Sequence, residues 1–169
     1  ECHSSLAPQG VNAVEYAAEA IAYLRRMGRR FAAEGPFDHD YDVPHTTVHT
    51  GVIHGGTALN IVPKDCHFDF EFRHLPVQDP EALYAEFMRY VEGELLPQMR
   101  QVAPGTGFGF EPLSTLPGLD TSEDAEITTL AKGLALANGT TKVAFGTEAG
   151  LIGGIDIPTV VCGPGSIAQ

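Results

Sequence analysis

Seven histidines, three cysteines and 22 carboxylates make metal binding and nucleophilic catalysis the first chemistries to weigh in this 169-residue chain. The histidines are His3, His39, His45, His49, His54, His67 and His74. His45 and His49 are four apart, but their HTTVH run lacks the glutamate of an HExxH motif and falls on strand-like sequence. Residues four apart on a strand are separated by about 13 Å, too far to share one ion directly. No other histidine pair has a dependable ligand spacing, so no metal site is expected within the chain. Asp38, Asp40 and Asp42 are spaced like the start of a calcium loop, yet the glycine and closing glutamate of that motif are missing, which leaves a solvated loop. Cys2 and His3 are sequence neighbours, which defines no nucleophile–base geometry. There is no GxSxG elbow, and Gly55-Gly56-Thr57 lacks the lysine of a phosphate-binding loop.

Three segments are harder to dismiss. HSSLAPQGVNA (His3–Ala13) is polar and glycine-containing just before a helix. GGTALNIVP (Gly55–Pro63) sets a lone amide, Asn60, in an apolar connection. GTEAG (Gly146–Gly150) stands where a strand is expected to turn into a helix. Helix N-termini and strand exits are places where anionic ligands bind.

The elements that would position these residues follow from periodicity and punctuation. Asn12 with Glu15 three residues on forms a capping-box pattern, and Val14, Ala17, Ala18, Ile21 and Leu24 recur at helical spacing. A helix is expected from about Val11 to Ala33, with Arg25, Arg26, Arg29 and Arg30 suited to the negative end of its dipole. Thr46–Gly55 reads as a strand. Cys66–Arg73 alternates cleanly, with Phe68, Phe70 and Phe72 on one face and His67, Asp69, Glu71 and Arg73 on the other. Asp79-Pro80 starts a second helix, with Pro97 as its expected stop, and Gly107–Glu111 reads as another strand. Residues 1–112 thus spell helix, strand, strand, helix, strand. One preceding strand would complete the β-α-β-β-α-β, ferredoxin-like unit. From Leu113 the pattern changes: a helix over Thr121–Ala137 with Ile127, Leu130, Ala131 and Leu134 inward, stopped by Asn138-Gly139, then strands at Lys142–Phe145 and Pro158–Cys162. That alternation suits a parallel α/β sheet, but two such strands cannot bury themselves, and the chain ends just after the strand-exit loop Gly163–Ser166. The expectation is a segment of a longer protein: an α+β, ferredoxin-like unit without its first strand, then part of an α/β domain.

Ten basic against 22 acidic residues leave a net charge of −12, which repels phosphate backbones and anionic membranes and argues against nucleic-acid or membrane partners. No apolar run reaches the roughly 18 residues needed to span a bilayer. Three cysteines without a CxxC pair fit a reducing cytoplasm better than a disulfide framework. The 19 glycines and 12 prolines are spread as turn punctuation.

His3–Ala13, Gly55–Pro63, Phe70–Arg73, Gly146–Gly150 and Pro158–Gln169, in this order and at this spacing, resemble the M20 family of zinc aminoacylases and carboxypeptidases. The first two segments mark the broad family. Thr147-Glu148-Ala149 followed by the GPGSIAQ ending narrows the likeness to members that deacetylate N-acetyl-L-ornithine. The resemblance implies a zinc-bearing α/β catalytic domain with an inserted, dimerising ferredoxin-like lid: residues 1–112 as the lid and 113–169 as the return into the catalytic domain. It implies hydrolysis of N-acetyl-L-ornithine to ornithine and acetate in arginine biosynthesis, by a cytoplasmic homodimer that uses zinc or cobalt. The metal ligands and catalytic glutamate of such enzymes precede the lid, and the last ligand would follow Gln169. No metal ligand is therefore carried over, and the isolated chain is expected to be inactive.

By the same resemblance His3 reaches into a partner subunit's site and hydrogen-bonds the oxyanion. Asn60 and Arg73 bind substrate, Arg73 being suited to bidentate capture of an α-carboxylate, although it could pair with an acid on its own sheet face. Gly146 and Thr147 line the substrate site, and Glu148 is a suitable partner for the ornithine ammonium. Two alternatives stay open: the same hydrolase acting on succinyl-diaminopimelate or a folyl-glutamate, and a non-catalytic dimerisation or amino-acid-binding module.

Overall fold

The structure, a computed structural model, describes residues 1–163; the remainder of the Gly163–Ser166 loop and the motif through Gln169 lie outside the described residues. It divides into two compact units.

The first unit comprises Glu1–Phe37, His45–His74 and Gln78–Glu111. A 3-10 helix at Ser4–Gln9 precedes α1, Ala13–Glu34. Asn12 caps α1: its Oδ1 accepts from the Val14 and Glu15 N–H groups at 3.1 and 3.2 Å, satisfying two donors that the first turn would otherwise orphan. The helix therefore starts just after the cap rather than at Val11. It ends at Gly35, whose φ of 77° is open to glycine and whose N–H bonds the Phe31 carbonyl. Because α1 continues to Glu34, no basic residue falls in its last turn, which corrects the dipole reading of the four arginines. Arg30 instead pairs with Glu86 at 2.7 Å, and Arg26 lies over the rings of Tyr23 and Tyr90.

β1 (Thr47–Gly55) and β2 (Cys66–Arg73) form an antiparallel pair, Thr47 opposite Arg73 and Gly55 opposite Cys66. A bulge between Thr50 and Val52 leaves Gly51 without an opposite residue. Thr46, expected in the strand, lies just before it, fully buried with its hydroxyl donating to Gln78 Oε1. The expected alternation holds. Phe68, Phe70 and Phe72 pack onto a core made by Ala20, Leu24, Met27 and Phe31 of α1 with Leu83 and Phe87, whereas His67, Glu71 and Arg73 are exposed.

α2 (Pro80–Tyr90) is capped by Asp79, whose side chain accepts from the Glu81 N–H, with Pro80 in the first turn. Pro97 does not stop the helical run. The backbone widens into a π-helical turn over Val91–Leu95, where the Leu96 N–H reaches back to the Val91 carbonyl, and α3 follows at Leu96–Val102. Pro97 then lies in the first turn of a new segment, where its missing N–H is not needed. Val91, Leu95 and Met99 carry the buried stripe through the change. Gly107–Glu111 is not a strand, because no described residue supplies a ladder partner for it. Phe108 and Phe110 still pack against the core, the Phe110 ring 5.9 Å from that of Phe87. The result is α+β: a two-stranded antiparallel sheet and helices in a partial ferredoxin-like arrangement.

The second unit comprises Asp38–Pro44, Leu75–Val77 and the chain from Pro112. The helix expected over Thr121–Ala137 is confined to α4, Glu126–Ala135. It starts late because Ser122 holds a turn, its carbonyl accepting from the Ala125 N–H and the Thr128 hydroxyl. It ends before Asn138-Gly139 because Leu136 takes the left-handed cap with φ 52°. Ile127 and Ala131 are half-buried, but Leu130 and Leu134 are exposed, and Thr128 is the buried residue. Lys142–Phe145 and Pro158–Cys162 form no strands; a parallel strand needs ladder neighbours, and the described residues provide none. α5, Ala149–Gly153, follows Gly146–Glu148.

Candidate functional site

The first two motif segments meet in the first unit. His3 forms an isolated antiparallel bridge with Ile61; the Ser4 N–H donates to the Asn60 carbonyl at 2.9 Å and the Val62 N–H to the Cys2 carbonyl at 2.8 Å. The Ala13 N–H donates to the Pro63 carbonyl, which ties the junction to the start of α1. Glycine is required around it. A Cβ on Gly10 would lie 2.9 Å from Cys2 Sγ, and one on Gly55 would lie 2.7 Å from Cys66 Sγ and 2.9 Å from Val14 Cγ2. Gly56 has φ 81°. A cavity of about 350 Å³ opens between the two segments, bordered by Ser4, Ala7, Ala58 and Pro63. Burial pushes the neighbouring Cys66 thiol up from its ordinary pKa, so it is a packing group rather than a nucleophile.

The His3 ring is oriented locally. Its Nδ1 accepts from the Ser5 N–H at 3.2 Å and lies 2.8 Å from Ser5 Oγ. With Nδ1 used as an acceptor, a neutral ring carries its proton on Nε2. Ser5 is the neighbour of His3 that spacing arguments overlooked; a hydroxyl two residues after a histidine, at a helix cap, is the signal that could have found the contact. His3 and Asn60 are both exposed.

Arg73 is not part of this group. It stands at the opposite end of the ladder, facing Thr47, while Gly55 and Cys66 flank the His3–Asn60 end, about 23 Å away along β2. Its Nη2 pairs with Glu71 Oε2 at 2.9 Å, the same-face acid that the strand pattern offers. Half-exposed partners of this kind add little to stability, and the guanidinium can exchange its carboxylate.

Gly146, Thr147 and Glu148 lie in the second unit. Thr147 Oγ1 accepts from the Ala149 N–H, and the Glu148 carbonyl accepts from Leu151 and Ile152, so the segment opens α5 while the Glu148 side chain stays exposed. Gly150 has no alternative: a Cβ there would lie 1.9 Å from the Pro117 carbonyl oxygen. Elsewhere in this unit Lys142 Nζ bonds Asp38 at 2.7 Å and lies 3.5 Å from Asp120. The ammonium holds Asp38 below the usual carboxylate range, and Asp38 in turn raises Lys142. The aspartate loop is therefore partly ion-paired rather than wholly solvated.

No group of three or more histidine, cysteine or carboxylate side chains among the described residues could hold a metal ion. Among the described residues no helix is long and apolar enough to cross a membrane.

The family model of the M20 peptidase dimerisation domain matches residues 1–99. The chain belongs to that family. Along nearly all of its length it is also similar to curated acetylornithine deacetylases. It is 32% identical to that of Myxococcus xanthus over 169 residues, 31% to that of Photorhabdus laumondii and 32% to that of Pectobacterium carotovorum. Each alignment covers 99% of this chain and 41–42% of the relative, so the chain spans about two-fifths of the proteins it matches.

Proposed function

We propose that this M20 chain is the dimerising lid, residues 1–112, and the following return, residues 113–169, of a hydrolase that releases acetate from N-acetyl-L-ornithine. The observation that carries the reading is the His3–Asn60 junction. Two segments 57 residues apart are bonded backbone to backbone, and Ser5 engages His3 Nδ1, which leaves Nε2 as the donor of a neutral ring. A positioned N–H donor suits the oxyanion that develops when water adds to an amide carbonyl. Asn60, whose backbone carbonyl joins this junction, would offer its exposed side-chain amide to the acyl or amino-acid portion of the substrate. Arg73, at the far end of β2, would take the α-carboxylate of a substrate lying at that end, exchanging Glu71 for it. Gly146 and Thr147 would line the substrate site from the return segment, and Glu148 would meet the ornithine ammonium. The zinc or cobalt expected of the family finds no ligand set among the described residues, so no step here is routed through a metal. Homodimerisation accords with the family match and would bring His3 of one copy to the site of the other.

The substrate is tested by comparing kcat/KM of the intact protein on N-acetyl-L-ornithine, N-succinyl-diaminopimelate and a folyl-glutamate. The reading expects N-acetyl-L-ornithine to be fastest; preference for either of the others rejects it.

A further inference from the structure

The β1–β2 ladder pairs two histidines that the sequence holds 13 residues apart: His54 stands directly opposite His67. The bulge at Gly51 brings this about. Thr50 faces Phe70 before it and Val52 faces Asp69 after it, so β1 takes up one extra residue. Without that residue His54 would fall opposite Cys66, on the face that carries the phenylalanines. With it, His54 joins His67 and Asp69 on the wet face, and both histidines are exposed. A bulge that re-aims one side chain is a recurrent device beside functional residues. Spacing along one strand cannot reveal a pair formed across two.

Directly opposed residues of an antiparallel pair have Cβ atoms about 4.5–5.5 Å apart. An ion about 2 Å from each imidazole nitrogen brings those nitrogens to about 3–4 Å apart, which that spacing allows. One nitrogen of His67 is already engaged, its Nε2 lying 2.8 Å from Asp69 Oδ1. A neutral His67 therefore carries its proton on Nε2 and donates it to the carboxylate, which leaves the Nδ1 lone pair as a ligand. A carboxylate on the far nitrogen is the usual support of a metal-binding histidine, fixing its tautomer and making it a better donor. Gly55 and Gly56 follow His54 and put no side chain over the pair.

We propose that His54 and His67 together bind one divalent transition-metal ion of the zinc class, through one ring nitrogen each, with Asp69 as the positioning residue for His67. Among the described residues no third histidine, cysteine or carboxylate completes a protein cage, so solvent fills the other positions of the ion. Imidazole suits zinc, copper and nickel alike, and such an open site selects among them by availability. None of the three residues has a part in the function proposed above, so this inference stands or falls separately.

Zinc chloride is the probe. The intact protein is equilibrated by dialysis against a series of free zinc concentrations and bound metal is counted per chain, with circular dichroism to verify that each variant is folded. The wild type should take up one equivalent more than His54→Gln or His67→Gln. His49→Gln, on the same face but opposite Glu71, should bind as the wild type does. Asp69→Asn should keep the added equivalent but weaken it by about tenfold or more. A wild type that takes up no more zinc than either histidine variant overturns the site. Loss in only one of those two variants means binding to a lone imidazole and overturns the pair. An equal loss in His49→Gln overturns the assignment to His54 and His67, and full-strength binding in Asp69→Asn overturns the positioning role.

Discussion

Single residues carry the chemistry, and their legibility varies with how local their environment is. Asn60 stands out in the sequence as a lone amide in an apolar connection, and His3 as part of a polar, glycine-containing run just before a helix. That they would be joined through Ser4, Ile61 and Val62 is a long-range fact that no spacing encodes. Ser5 escaped notice because its contact is with another side chain, His3. Ser5→Ala should lower kcat of the intact protein, but less than loss of His3, since the Ser5 N–H still holds Nδ1; an effect equal to His3 removal would mean that the hydroxyl itself meets substrate. The Asp38–Lys142 pair gives a signed pH dependence. Asp38 sits below its ordinary 3.8, so its contribution is present above that value and is lost as pH falls through the depressed pKa. Lys142 sits above 10.5, so its contribution is present below 10.5 and is lost as pH rises through the raised pKa. The thermal stability conferred by the pair should be flat between those limits and fall outside them. Lys142→Met should flatten both shoulders in a melting-temperature series, and unchanged shoulders would show that the pair contributes nothing.

At the scale of elements, local signals held where the neighbours were also local. The Asn12 and Asp79 caps and the phenylalanine alternation of β2 each depend on a few adjacent residues. Asn12→Ala should destabilise the fold by about 1 kcal/mol in denaturant titration, as for other lost caps; no shift in midpoint would contradict its capping role. Signals failed where the outcome depended on distant partners. Gly107–Glu111, Lys142–Phe145 and Pro158–Cys162 have strand composition, yet a strand exists only with a ladder beside it. Pro97 failed differently: the π-helical turn before it supplied a fresh helix start, which apolar spacing alone does not announce. Phe87 is where the elements of the first unit meet, fully buried with its ring 5.0 Å from that of Phe70 and 5.9 Å from that of Phe110. Phe87→Ala should cost about 3–5 kcal/mol, enough to unfold most of a marginal domain; a loss under 1 kcal/mol would mean that the core is organised elsewhere.

At the scale of the whole molecule, the chain carries a net charge of −12 and its residues 1–99 match the peptidase dimerisation domain, which supports the proposal of a second copy as its partner. The roles proposed for the site residues were legible only as family motifs, because the described residues bring together the His3 and Asn60 segments but not Arg73 or Gly146–Glu148. The central claim is that His3 supplies the oxyanion donor. Its most direct test is kcat of the intact, metal-loaded protein on N-acetyl-L-ornithine with and without His3→Ala, metal content and dimer state being measured on the same samples. The account predicts a fall on the order of 10²-fold or more with metal and dimer retained; turnover near that of the wild type would contradict it.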